Sequence, residues 1–121
     1  MSIKEPQPDV HPFSDGYYLI NGLYVEPSDV ELPRVQSNVY NELSETYYNG
    51  FDIPLIFRHN GAKYHFSVND DPSVRSDTIE VPYRVVDEMN IEYVPSEQQF
   101  LMAKPGHAKI ITDFSQSVRS V

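Results

Sequence analysis

Hydrophobic and polar positions alternate most regularly on either side of Asn60-Gly61. This dipeptide is preferred by a two-residue type I′ turn, in which both positions take positive φ. Closing the turn there fixes a register: Phe57 falls opposite Tyr64, Leu55 opposite Phe66 and Ile53 opposite Val68. Side chains alternate along a strand, so all six lie on one face. Turn chemistry and apolar pattern agree, which predicts a hairpin over Ile53–Val68 with one buried face.

The same reading predicts a second Asn-Gly hairpin over Tyr17–Val25, with Ile20 opposite Leu23 and Tyr18 opposite Val25. Its other face pairs Leu19 with Tyr24, so both faces are largely apolar and need cover from the domain or from a partner. Over Arg34–Asn49 the period lengthens. Val35, Val39, Leu43 and Tyr47 recur at steps of four, after Pro33 and before Gly50, which predicts a helix. Asn69–Asp77 (NDDPSVRSD) reads as a polar loop. Thr78–Val86 alternates as a strand with Ile79, Val81, Tyr83 and Val85 on one face, and Pro82 marks it as an edge or bulged strand. Asp87–Asn90 reads as a turn, Ile91–Val94 as a short strand and Pro95–Gln98 as a loop. Gln99–Ala103 and Ala108–Phe114 read as a last hairpin around Lys104-Pro105-Gly106-His107.

Seven or eight short strands and one helix predict a mainly β fold, a small sandwich or barrel of antiparallel hairpins with the helix packed on it; α+β is the alternative. At 121 residues the chain fits one domain, here 17–114, large enough for a core without disulfides. Residues 1–16 carry Pro6, Pro8 and Pro12 and read as an extended arm, and 115–121 read as a polar tail.

Charge narrows the function classes. Eighteen acidic residues against nine basic ones give a net charge of −9. The nine basic residues are scattered, which disfavours a phosphate-backbone binder and gives no expectation of direct nucleic-acid contact. There is no cysteine, so no disulfide or thiolate chemistry arises. No secretory signal and no bilayer-spanning run is legible, so an intracellular or virion-associated protein without membrane contact is expected.

Catalytic and ligand motifs are sparse. The five glycines are dispersed and form no phosphate-binding loop, and no serine sits in a nucleophile elbow. His59 and His65 flank the central turn but point to opposite faces, and His11 and His107 stand apart, so no paired metal site is expected. Asn69, Asp70, Asp71 and Asp77 form the densest group of oxygen ligands, without the spacing of an EF-hand. The expectation is therefore no catalytic, cofactor-binding or metal residue.

Nine tyrosines, the stiff arm and the doubly apolar first hairpin instead suggest a non-catalytic assembly subunit. Its contact residues would be Pro6, Pro8, Pro12, Phe13, Tyr17, Tyr18, Leu19 and Tyr24, and its partners copies of itself or other proteins of a larger complex, with a homo-oligomer expected. Fold-level analogy points to virion accessory proteins such as head-decoration, head–tail or tail-assembly subunits. The alternative is a small acidic protein that binds and inhibits a basic, nucleic-acid-handling partner. An enzyme assembled from dispersed side chains is a third reading.

Overall fold

The computed structural model describes residues 7–48, 50 and 52–105. The central hairpin forms in the expected register, between strands here numbered in chain order as β4 (Pro54–His59) and β5 (Ala62–Ser67). Asn60 and Gly61 take φ of 52° and 80°, and the Val68 amide donates to the Ile53 carbonyl at 3.1 Å, extending the pairing past the strand ends.

The segment Tyr17–Ser28 corrects the second expected hairpin. It is one twelve-residue strand, β2, with a bulge at Asn21-Gly22. On β8 (Ser96–Ala103), Ile20 pairs with Phe100 and Leu23 with Gln98, so Asn21 and Gly22 together oppose Gln99. Of the pair only Gly22 has positive φ, at 88°, whereas a type I′ turn needs both. The bulge is held from β8. The Gly22 amide donates to Glu97 Oε1 at 3.1 Å and Gln99 Nε2 donates to Asn21 Oδ1 at 3.0 Å.

Other expectations shift as well. The helix begins later than Arg34, because Arg34–Val35 pairs as β3 with β7 (Thr78–Pro82) and with β6 (Asn69–Asp70). Gln36 then caps α1 (Ser37–Glu42) by accepting from the Asn38 amide, and the helix runs on as a π-helical stretch over Leu43–Tyr48. The strand expected over Thr78–Val86 stops at Pro82, and α2 (Tyr83–Glu88) follows. This change of period buries Val85 and Val86 together and turns Tyr83 outward, where strand alternation would have buried Tyr83. β7 is also interior rather than an edge, lying between β2 and β3. Pro82 is tolerated because it ends the strand and opens the helix. Ile91–Val94 is loop, and β8 starts at Ser96. The hairpin partner expected at Ala108–Phe114 and the tail 115–121 lie outside the described residues.

The fold is mainly β with the helix packed on it, as expected, and it forms one eight-stranded sheet. The path runs β5-β4-β8-β2-β7-β3-β6, with β1 (Asp9–Pro12) pairing β2 beside that path. Two pairs, β2 with β7 and β3 with β6, are parallel, so hairpins alone do not build it. β5 and β6 stand at opposite ends of the path but are separated in sequence only by Val68. Continuous backbone therefore joins the two ends, and the sheet has to curl on itself as a half-barrel. Ile20, Leu23, Val25, Leu55, Phe57, Ile79, Phe100 and Met102 fill the curl with almost no solvent exposure, and Val39 and Leu43 of the helix close over them. No helix among the described residues is long and apolar enough to cross a membrane.

Candidate functional site

One end of the curled sheet combines concavity with an exposed aromatic side chain. There a cleft of about 300 Å3 opens between the tip of the β4–β5 hairpin and the loop joining α2 to β8. His59, Asn60, Asn90, Ile91, Glu92, Tyr93, Ser96 and Gln98 line it.

Both walls are set by asparagines in the left-handed region, which Asn tolerates better than other non-glycine residues. Asn60 occupies the first central position of the type I′ turn. Asn90, with φ 54°, ends α2: its amide donates to the Asp87 carbonyl at 3.1 Å, and the Ile91 amide donates to the Val86 carbonyl at 3.3 Å. This is the Schellman pattern, and it packs Ile91 against the core. The walls are joined where Asn60 Nδ2 donates to the Asn90 carbonyl at 3.3 Å. On the floor, Gln98 Nε2 donates to Ser96 Oγ at 3.2 Å. The local sequence carried half of this. Asn60-Gly61 was legible, and Asp87–Asn90 was legible as a turn. That the two meet was not, because their proximity depends on β4 and β2 both pairing with β8.

The rim bears Tyr93, at 77% the most exposed aromatic among the described residues, with Val94 next to it in the chain at 41%. Tyr83, at 60%, opens the helix that leads into the Asn90 turn. Leu32, at 40%, lies in the loop that follows β2, whose end pairs with the end of β7.

The contact residues expected from sequence are dispersed. Pro6 lies outside the described residues. Pro8 stacks over the bulge, its Cα 3.4 Å from the point where a Cβ on Gly22 would sit. Pro12 ends β1, and Phe13 is exposed beyond it. The extended backbone expected of the arm is present in Asp9–Pro12, and the surface it lies on is the molecule's own β2. Tyr18 turns inward, edge-on to Tyr47 at 5.5 Å with the Lys104 ammonium 5.2 Å above its ring. Leu19 and Tyr17 are half-buried, and Tyr24 is exposed on the outer surface.

The acidic loop serves the fold. Arg34 donates to Glu80, its cross-strand neighbour, and to Asp71 Oδ2 at 3.1 Å. The Ser73 hydroxyl and amide both donate to Asp71, and these bonds, more than Arg34, hold the Asp71 carboxyl below the usual carboxylate range. Bonding to Glu80 raises the Arg34 guanidinium further. Ser37 donates to Asp70, and Asp77 accepts from Thr78 while pairing with Arg75. Asp71 and Glu80, through Arg34, tie β3 to β7 and to the residue after β6, and Asp70 ties β6 to α1. Among the described residues no three His, Asp or Glu side chains are grouped to hold a metal ion. Tyr48 lies elsewhere, its hydroxyl pKa pushed up by burial and by Asp52.

Other concavities lie on the described surface. A groove of about 800 Å3 runs along Gln7–His11 and is closed by Glu42 and Tyr47. A shallower one of about 460 Å3 lies over Asn21, Arg58, Glu97 and Gln99 on the outer face.

Residues 10–118 match the model of a family of unknown function, DUF5802. The chain belongs to that family. No curated protein and no solved structure matches it. The match runs through every strand of the sheet except the first residue of β1, and it includes the whole of the cleft.

Proposed function

We propose that this protein is a non-catalytic subunit of a larger assembly that binds another protein through the loop-bearing end of its curled sheet. One observation carries the reading: Tyr93 is 77% exposed on the rim of a cleft whose walls are braced from within, with the exposed Val94 next to it in the chain. Tyrosine is favoured at protein interfaces because it contributes a large rigid surface with a polar tip at low entropic cost. Loops on a rigid scaffold are where such contacts concentrate.

The test replaces Tyr93 with a photo-activatable phenylalanine analogue in the source cells, with a second version altered at the distant, exposed Glu45. A single discrete adduct at position 93 and none at 45 is the expected result. An adduct of twice the chain mass would identify the partner as a second copy. Absence of any adduct at 93, or equal labelling at both positions, overturns the proposal.

A further inference from the structure

We infer that the cleft between Asn60 and Glu92 receives an arginine side chain from a basic segment of the partner polypeptide. The inference rests on the reading of this end as a protein-binding surface and specifies the chemistry of what enters it.

Three features of the cleft converge on a cation rich in hydrogen-bond donors. The first is how the amides are spent. Asn60 uses an amide N–H on the Asn90 carbonyl and Gln98 uses one on Ser96 Oγ. Each of these side chains also keeps a carbonyl oxygen, an acceptor with two lone pairs, beside one remaining N–H. The second is Glu92, whose carboxylate forms no ion pair among the described residues and lines the same cavity. A wall offering a carboxylate and amide oxygens is complementary to guanidinium, which has five N–H donors in a plane and no acceptor. The third is Tyr93 on the rim, an exposed π face over which a guanidinium stacks favourably. Glu92 would repel an anion, and a cation is the ligand that gains from its charge.

The charge of the whole molecule acts in the same direction. With a net charge of −9, and with Asp87, Glu88, Glu92 and Glu97 all exposed near this end, the long-range field draws a basic segment in. At a volume of about 300 Å3 the cleft suits one side chain rather than a folded element, so the rest of the segment lies across the exposed Tyr93 and Val94.

The experiment titrates the 15N-labelled full chain at pH 8 and low salt with a capped pentapeptide, Gly-Ser-Arg-Ser-Gly. A matched peptide carries citrulline, the neutral isostere of arginine, and N-acetyl-arginine amide serves as a third probe. The expected result is movement of the side-chain amide resonances of Asn60, Asn90 and Gln98 with the arginine peptide. Affinity should fall about three- to five-fold in Glu92→Gln, the range of an exposed ion pair, and stay unchanged in Glu45→Gln. Equal shifts with citrulline, shifts spread over carboxylate-bearing segments everywhere, or no loss in Glu92→Gln would overturn the inference. Binding of N-acetyl-arginine amide as tight as the peptide would also overturn it, assigning the cleft to a small cation instead. The cross-link at position 93 separates the two proposals. If it survives while arginine binding fails, only the occupant is wrong. If arginine binds and no cross-link forms, the partner-binding reading falls.

Discussion

Two glycines with nearly the same φ face different surroundings, and that difference sets what each contributes. Gly61, at φ 80°, has nothing within 4 Å of the point where a Cβ would sit. Gly61→Ala therefore carries only the backbone strain of an L residue in the left-handed region, about 1 kcal/mol. Gly22, at φ 88°, carries the same strain and lies beneath Pro8, with Pro8 Cα at 3.4 Å and the Gln7 carbonyl oxygen at 3.7 Å. Gly22→Ala should cost more than Gly61→Ala, and the excess should disappear when residues 1–15 are removed. Thermal unfolding of the two variants, with and without the first fifteen residues, measures this. Equal losses in the full chain would mean that the Pro8 contact contributes nothing. At the residue scale the sequence announces both glycines through the same Asn-Gly pair, and only the neighbours distinguish them.

At the scale of elements, β1 covers one edge of the first half of β2, and β7 covers the same edge of the second half. Residues 9–12 pair with Tyr18–Asn21 in register, so starting the chain at Gly16 uncovers four residues of strand edge. Unpaired strand edges invite pairing with another chain. A chain starting at Gly16 is therefore expected to melt several degrees lower, since about 1 kcal/mol shifts the midpoint of a domain near this size by roughly 4 °C. It should also show a higher solution mass by light scattering. An unchanged midpoint and unchanged mass would show that β1 adds nothing to the sheet. The arm was legible as extended backbone because proline restricts φ, but which edge it covers was not. The helix was legible for a similar reason: Val39 and Leu43 recur at four and both are buried. Its start was not legible, because Arg34–Val35 is drawn into the sheet by β6 and β7.

Over the whole molecule, the curl depends on joining β3, β6 and β7, and Arg34, Asp71 and Glu80 bridge that seam. The Asp71 carboxyl lies below its ordinary pKa because Ser73 donates two hydrogen bonds to its charged form and Arg34 adds attraction. A group depressed by folding contributes stability that is complete above its ordinary value and is lost as pH falls through the lower folded value. Asp71→Asn should be less stable than the native chain near neutrality, and the gap should narrow as pH falls below the ordinary carboxylate range. Denaturant midpoints across that range test it, and a gap independent of pH would remove Asp71 from the seam. The cleft belongs to this scale too. Asn60 and Asn90 are thirty residues apart and come to 3.3 Å only because the sheet brings hairpin and helix end to one rim.

What the sequence alone determined was whatever local chemistry makes unique. Asn60-Gly61 between alternating apolar runs permits one register, and that register is the one observed. It also determined which residues face the core around Asn21-Gly22, though not the path of the chain there. A two-residue turn and a one-residue bulge both skip one step of the alternation, so Ile20 and Leu23 face the same side in either case. Only the tertiary structure decided between them. A hairpin would have paired Tyr18–Ile20 with Leu23–Val25, whereas β8, β1 and β7 supply those hydrogen bonds from elsewhere and keep β2 one continuous strand. Long-range backbone pairing of this kind leaves no mark on the local pattern of polar and apolar residues, and it is what placed the cleft, with Tyr93 on its rim, at one end of the sheet.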